Sequence, residues 1–332
     1  MKQVTVGVIG LGLMGDRHAR VFSQLPGVRL TAVADVRGER VESVAQATGT
    51  QAYTDYRDLL NRSRFDAVSI CLPDSMHLEA VLAAAAAKKH ILLEKPIATS
   101  LDEVDEMVAA AEKAGVTLMV GHILRFDPRF AMAEAAIREG RVGEPIQLYA
   151  RRNSPIVGPR HYAGQADLAT HVMVHDIDIL NWFIKGRVTK VYAQGQNRIL
   201  SQYKVYDAIT ATLNYDTGAI ATIEAAWVLP ESNPSAIDGR IEVIGNRGVL
   251  YVDTYEQGLS IVDAKGTVYP DTMHWPEIHG QVVGDLQNEI LHFIQCVATG
   301  RAPLVGGAEA RETVSVALAI MESISTQKPV GL

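Results

Sequence analysis

The sequence predicts an α/β protein: an N-terminal doubly wound parallel sheet, followed by a C-terminal α+β domain built on an open, mostly antiparallel sheet. Three observations carry this expectation. Over roughly the first 120 residues, short apolar runs alternate with helical stretches, the pattern of consecutive βαβ units. A glycine-rich turn, Gly10-Leu11-Gly12-Leu13-Met14-Gly15, joins the first apolar run to the first helix. From Pro145 onward the apolar residues recur at every second position instead, with turn residues between the stretches.

The elements follow in order. Residues 4–9 read as a buried strand, and the glycines after it have separate tasks. Gly10 permits the tight turn, Gly12 lets the backbone approach a pyrophosphate, and Gly15 lets the helix pack closely on the strand. Leu13 and Met14 lie in the first turn of that helix, whose N–H groups and positive dipole end suit phosphate oxygens. A second strand over 28–34 ends in Asp35, about twenty residues past Gly15, where a carboxylate accepts hydrogen bonds from an adenosine ribose and repels a 2′-phosphate. Together these make a Rossmann dinucleotide site, with NAD favoured over NADP. Val36 and Arg37 complete the same turn, and Arg37 is able to pair with a 2′-phosphate, which softens that preference.

A helix over 39–47 and a short strand over 51–53 come next, then a strand over 67–72 whose continuous apolarity fits burial on both faces. Pro73 ends it. After the loop 74–77 and an alanine-rich helix to Lys88, the strand 90–93 delivers Glu94-Lys95-Pro96. Ser100 with Glu103 forms a capping box for a helix to Ala114, and 117–120 is a sixth strand, so the nucleotide domain is expected to span 1–121. The second domain, 122–305, contains a strand over 146–150. It also has a hairpin of 205–214 with 219–227 around Tyr215-Asp216-Thr217-Gly218, and another of 240–244 with 249–253 around Gly245-Asn246-Arg247-Gly248. Helices over 285–297 and 307–325 finish the chain, with no internal repeat or long linker. A ligand cleft is expected at the carboxyl ends of the parallel strands, where Cys71-Leu72-Pro73 and Glu94-Lys95 emerge.

Composition narrows the function classes. With 332 residues, 48% of them apolar, the chain has enough material for two cores, and a net charge of -7 without a Lys/Arg run longer than a pair speaks against a nucleic-acid surface. Its two cysteines, Cys71 and Cys296, are too few for a disulfide framework. The N-terminus lacks a signal-peptide pattern, and no apolar run approaches the roughly twenty residues that span a bilayer, so a cytoplasmic protein without a membrane partner is expected.

Residues 165–180 hold a second polar cluster. If the segment is helical, Asp167, His171, His175 and Asp178 or Ile179 share one face, and so polar a stripe is not what packing calls for. The i, i+4 spacing of His171 and His175 is one that can clamp zinc, but the glutamate of HExxH is missing and no third ligand is identifiable, so no metal is expected. Acid–base or substrate-binding work is the better reading. Oxidising a secondary alcohol removes a hydride from carbon and a proton from oxygen, which needs a cofactor on one side and a base on the other. His175 has the intrinsic pKa for the base, and an ammonium at Lys95 would steady the developing alkoxide. Glu94 is expected to orient Lys95 or touch the cofactor, His77 to flank the cofactor, and His122 to line the same cleft.

The combination of Gly10 to Gly15, Asp35, Cys71-Leu72-Pro73 with His77 and Glu79, Glu94-Lys95-Pro96, Gly121-His122 with Arg125-Phe126, and His175-Asp176-Ile177-Asp178 resembles the Gfo/Idh/MocA oxidoreductases over essentially the whole chain. That family includes glucose-fructose oxidoreductase and inositol dehydrogenases. The resemblance implies that a final helix, within 306–332, returns to the first domain, that Lys95 and His175 face the nicotinamide, and that the bond before Pro96 is cis. The substrate side is expected to include His122 and Arg125 of these motifs, and Asp167 of the polar cluster. By resemblance to the nucleotide-sugar 3-dehydrogenase branch, Arg151 and Arg152, at the end of strand 146–150, are added to it. One position departs: inositol dehydrogenase-like members carry an aspartate four residues before the histidine of the last motif, and here that residue is His171. A histidine still hydrogen-bonds a hydroxyl or shuttles a proton, but with a different charge and pKa, and Asp167 or Asp178 is then left to supply negative charge.

The expected activity is therefore an NAD-dependent oxidoreductase acting on a secondary hydroxyl of a sugar, polyol or sugar derivative. Two alternatives remain open at this point, a glycosidase that uses retained NAD in a transient oxidation and a non-catalytic NAD-binding sensor. A homodimer or homotetramer is also expected, because the second domain has too few helices to cover both faces of its sheet.

Overall fold

The structure, a computed structural model, describes residues 3–332 apart from Ala163 and Gln165. The N-terminal part runs β1 (Val4–Ile9), α1 (Leu13–Gln24), β2 (Val28–Ala34), α2 (Gly38–Thr48), β3 (Gln51–Tyr53), α3 (Tyr56–Arg62), β4 (Ala67–Ile70), α4 (His77–Ala86), β5 (His90–Glu94), α5 (Leu101–Ala114) and β6 (Leu118–Gly121). Its strands form one parallel sheet in the order β3-β2-β1-β4-β5-β6. Two helical layers bury both faces, so Val6, Val8, Val33, Val68, Ile70 and Leu92 are completely inaccessible, and alternation along these strands is absent. The short helix α3 was not legible as an element; it is set by Asp55, whose carboxylate accepts the Arg57 N–H at 2.8 Å. The expected capping box is not formed, since Ser100 is the N-cap of α5 but its side chain makes no capping bond.

The second sheet is built from α6 (Pro128–Arg138), β7 (Pro145–Pro155), α7 (Val157–Tyr162), a π-helical turn (Ala169–Met173), α8 (Val174–Ile184), β8 (Val188–Gln196), β9 (Ala208–Tyr215), β10 (Ile220–Leu229), β11 (Asp238–Gly245) and β12 (Val249–Asp253). Two small ribbons follow, β13 (Ile261–Asp263) with β14 (Gly266–Val268) and β15 (Glu277–Ile278) with β16 (Gln281–Val282). The chain ends in α9 (Asp285–Thr299), α10 (Gly307–Thr326) and β17 (Val330–Gly331). The large sheet has the order β12-β11-β7-β10-β9-β8-β17, antiparallel throughout except for the β7–β10 pair. Both hairpins lie where the turn residues put them, with Ile220 opposite Asn214 and Ile244 opposite Val249.

Side chains alternate on this sheet as a half-covered sheet requires. Leu148 and Ala150 of β7, Ile209, Ala211 and Leu213 of β9, and Ile223, Ala225 and Trp227 of β10 are buried, on the face where α8 lies against β7 and β10. The opposite face carries Tyr149, Tyr192, Glu224, Glu242 and Tyr251, each at least partly exposed. Strand β7 is longer than the sequence indicated, continuing to Pro155, so Arg151 and Arg152 lie inside the strand and not at its end.

Two compact units result, residues 1–123 with 274–311 and residues 124–273 with 312–332. This differs from the reading of the sequence at the C-terminal end. Residues 274–305 go with the parallel sheet, where α9 packs on α1 and β1 and the Val120 N–H donates to the Val305 carbonyl at 3.1 Å. Of α10, only residues 307–311 belong to the first unit. The remainder belongs to the second, with Ser323 Oγ accepting the Ala193 N–H at 2.9 Å and β17 extending the sheet beside β8. Periodicity reveals that α9 and α10 each have an apolar face, but not which sheet that face meets. Among the described residues no helix is long and apolar enough to cross a membrane.

Candidate active site

The glycine loop has the shape that its residues dictate. Gly10 adopts φ +81°, and a Cβ on it would lie 2.6 Å from the Cys71 carbonyl oxygen. A Cβ at Gly15 would run into the Gly10 carbonyl, which is how closely α1 approaches the end of β1. Gly12 is the N-cap of α1 with no side-chain capping bond, and a Cβ there would meet no protein atom within 4 Å. The first N–H groups of a helix have no partner within it, so this uncapped, open end is a cradle for an anion.

Asp35 stands beside the loop. Its Oδ2 accepts the Leu11 N–H at 2.8 Å, and its Oδ1 accepts the Arg37 N–H and Nε–H, both at 2.9 Å. Burial alone would push this carboxyl up, but the hydrogen bonds from Arg37 and Leu11 outweigh it and hold the pKa at about 2. Arg37 is 61% exposed on its side chain and also reaches the Leu11 carbonyl, while Leu13 and Val36 are strongly exposed apolar residues on either side. A carboxylate flanked by apolar surface next to an open helix end fits the adenosine half of a dinucleotide, and a guanidinium already paired to that carboxylate gives the same corner a cation.

The next strand ends are tied together by His77. Its Nε2 lies 2.9 Å from the Leu72 carbonyl oxygen and its Nδ1 3.0 Å from that of Pro96, so the buried ring joins the Cys71-Leu72-Pro73 loop to the Lys95-Pro96 turn, where the peptide bond is cis. Glu94 holds that turn from the other side. Its Oε2 accepts the Lys95 N–H at 3.3 Å, and its Oε1 lies 3.1 Å from Nε2 of His18, whose Nδ1 in turn is 2.8 Å from Ser69 Oγ. Burial lowers the proton affinity of His18, yet the Cys71 thiol and the Glu94 carboxylate outweigh it and raise the imidazole well above its usual value. Burial likewise works against the Glu94 anion, and His18, Lys95 and His77 overcome it, keeping that carboxyl below the usual range. Lys95 is half-buried, and His122 is buried at the end of β6. Neither His18 nor Ser69 was picked out from the sequence. The available signal was a histidine three residues after Gly15, on the inward stripe that α1 otherwise fills with Ala19 and Phe22.

In the second unit, the condition for the stripe over 165–180, a regular helix, is met only in part, because the π-helical turn shifts its phase; Gln165 itself lies outside the described residues. Asp167 caps the turn, accepting the Thr170 N–H at 2.9 Å and its hydroxyl at 2.7 Å, while its carbonyl accepts the His171 N–H at 3.0 Å. His171 and His175 remain half-buried. Asp178 is 1% exposed and receives two hydrogen bonds from Arg125, at 2.8 and 2.7 Å, while that guanidinium lies 5.3 Å over the Trp182 ring. Arg152, 5% exposed, makes the equivalent forked pair with Asp176 at 2.8 and 2.9 Å. Arg151 binds Asp238 of β11 at 2.8 Å. The three arginines expected to reach a substrate thus have carboxylate partners in the protein. Arg125 and Arg152 hold α8, the helix that carries His175, by two buried forks, and the sequence reading had given Asp176 no such task. Among the described residues no group of three or more His, Cys, Asp and Glu side chains is arranged to hold a metal ion.

Comparison with known proteins agrees with this architecture. The model described as an oxidoreductase family with an NAD-binding Rossmann fold, GFO_IDH_MocA, matches residues 4–122, and the GFO/IDH/MocA C-terminal domain matches residues 130–251. The chain is 31% identical over its full length to an uncharacterized oxidoreductase, YrbE, of Bacillus subtilis strain 168, covering 97% of that protein. It is 30% identical over 99% of its length to the NAD(+) scyllo-inositol 2-dehydrogenase of the same organism, covering 96% of it. The crystal structure of myo-inositol 2-dehydrogenase from Lactobacillus plantarum superposes with a TM-score of 0.88 over the whole of both chains, at 24% identity, a likeness of fold. The chain belongs to the Gfo/Idh/MocA oxidoreductase family and carries that family's NAD-binding Rossmann domain.

Proposed function

We propose that the protein is an NAD-dependent dehydrogenase that oxidises a secondary hydroxyl of a cyclic polyol of the inositol type. The observation that carries the reading is the doubly tied turn at the end of β5. The His77 ring and the Glu94 carboxylate fix the backbone from which Lys95 leaves, at the carboxyl ends of the parallel strands, as Gly12 and Asp35 are. When bound, NAD supplies the hydride acceptor. The protein's own task is then the hydroxyl proton. His175 takes it, held in register by the Arg152–Asp176 and Arg125–Asp178 forks on its helix. Lys95 is assigned the ammonium that offsets the charge of a developing alkoxide as the carbon–hydrogen bond breaks. His171, where the family resemblance implies an aspartate, is a hydrogen-bonding neighbour for an adjacent hydroxyl that brings no fixed negative charge. A retained-NAD glycosidase and a non-catalytic sensor are less well supported, since relatives covered almost end to end are named as dehydrogenases.

The test is the near-ultraviolet absorbance of reduced nicotinamide when purified protein and NAD meet myo-inositol, scyllo-inositol, aldoses and nucleotide sugars in turn. Growth of the signal with an inositol is expected, and Lys95→Met is expected to abolish it while NAD still binds. Full turnover by Lys95→Met removes the assigned role. Turnover only with another class of carbohydrate refutes the inositol-type substrate.

A further inference from the structure

Glu94, which fixes the Lys95 turn, is also the hub of a buried polar cluster whose deeper members the reaction as assigned gives no task. Beneath it, on α9, Glu289 is 1% exposed, and its Oε1 has no hydrogen-bond partner among the described residues. Gly121 is the register partner of Glu94 across β5 and β6. A Cβ on Gly121 would lie 3.0 Å from Glu289 Oε1 and 3.6 Å from the Glu94 Cα, so the glycine makes the room in which a second carboxyl group reaches the same strand end. Two carboxyl groups that share one strand end, the second of them buried, resist ionising together. Glu94 is the one with an imidazole at 3.1 Å, which leaves the proton to Glu289.

We propose that Glu289 is a positioning residue, a carboxylic acid kept protonated under the ends of β5 and β6 so that Glu94 alone carries negative charge and fixes the backbone and electrostatic setting of Lys95. The inference rests on the role given to Lys95 above. The groups that face Glu289 are Glu94 from β5, His18 from α1 and Asp285 from its own helix; Lys95 and His77 act on it through Glu94, and Cys71 through His18. Burial and the Glu94 charge raise its proton affinity well above that of an ordinary carboxyl, His18 opposes them, and Asp285 adds to the rise.

The experiment compares Glu289→Ala and Glu289→Gln with the wild type in two ways: thermal unfolding between pH 4 and pH 8 without ligands, and NAD reduction with myo-inositol or scyllo-inositol. An unfolded glutamate ionises above about pH 4.3. A native state that must keep Glu289 protonated therefore loses stability as pH rises past that value, and glutamine, which never ionises, does not. The Tm of Glu289→Gln relative to wild type is expected to climb by at least about 2 °C from pH 4 to pH 8. Glu289→Ala is expected to lower kcat about tenfold with NAD affinity kept, and Glu289→Gln to restore most of it. A Tm difference independent of pH, or a glutamine variant as impaired as the alanine one, overturns the proposal. If the alanine variant does not fold, the pH dependence of the glutamine variant decides alone. Lys95→Met separates the two readings: turnover in that variant removes the role of Lys95 and leaves the protonation of Glu289 standing. Its inactivity together with a pH-independent Tm difference removes only the inference about Glu289.

Discussion

Gly12→Ala and Gly15→Ala separate the two reasons for which the loop between β1 and α1 is rich in glycine. At Gly15 the reason lies within the protein. The new Cβ would collide with the Gly10 carbonyl oxygen and lie 2.8 Å from its carbon, whereas ordinary contact begins near 3.4 Å. Both obstacles are backbone and the oxygen is the nearer, so α1 must retreat from β1 by more than about an ångström, and overpacking of this kind costs about 1–3 kcal/mol. At about 2–4 °C per kcal/mol for units of this size, the Tm should fall by about 2–12 °C. At Gly12 the reason is the ligand. The residue has φ -67°, is exposed, and offers a Cβ no protein neighbour within 4 Å, so alanine should leave the Tm of the ligand-free protein within about 2 °C of wild type. The same methyl group stands where a pyrophosphate must approach the helix N–H groups. Losing one or two of those hydrogen bonds, at about 1.5 kcal/mol each to a charged group, weakens NAD about 10–100-fold. Thermal unfolding without cofactor and NAD titration followed by tryptophan fluorescence measure the two effects independently. Wild-type NAD affinity in Gly12→Ala refutes the placement of the phosphates over this loop, and an unchanged Tm in Gly15→Ala refutes the close approach of helix to strand.

Two further outcomes are expected. Arg152→Met leaves the Asp176 carboxylate buried without its fork and should cost about 3–5 kcal/mol, with turnover falling as α8 and His175 lose their anchor. Arg152→Met with Asp176→Leu should regain much of the stability in chemical unfolding, and a double-variant loss equal to the sum of the Arg152→Met and Asp176→Leu losses would show that the pair is not coupled. Asp35, with its pKa depressed to about 2, contributes stability that is fully present above the ordinary aspartate value near 3.9 and is lost as pH falls through about 2. The stability gap between wild type and Asp35→Asn, followed by acid titration, should therefore hold from pH 7 to about 4 and close only below it. A gap that stays constant down to pH 2 means that the ionised carboxylate has no part in it.

Much of the site was legible because its parts are local. Gly10, Gly12 and Gly15 answer to a turn and a helix start within six residues, Asp35 to the end of one strand, and Glu94-Lys95-Pro96 to the end of another. The expected stripe over 165–180 failed in part because a π-helical turn changes the phase by a residue, which the identity of the side chains does not announce. That Arg151 and Arg152 lie inside β7 and not at its end depended on pairing with β10 and β11, which lie far along the chain.

By itself, then, the sequence determined the six parallel strands, the two hairpins, the dinucleotide loop and the chemical types of the groups at the strand ends, because turn chemistry and side-chain periodicity act between near neighbours. The tertiary structure alone decided which charges meet. Arg125 finds Asp178 across 53 residues and Arg152 finds Asp176 across 24. Glu289 comes from a helix beyond the second sheet to stand under Glu94. A buried charge takes whichever partner packing brings within reach, and packing is a property of the whole chain.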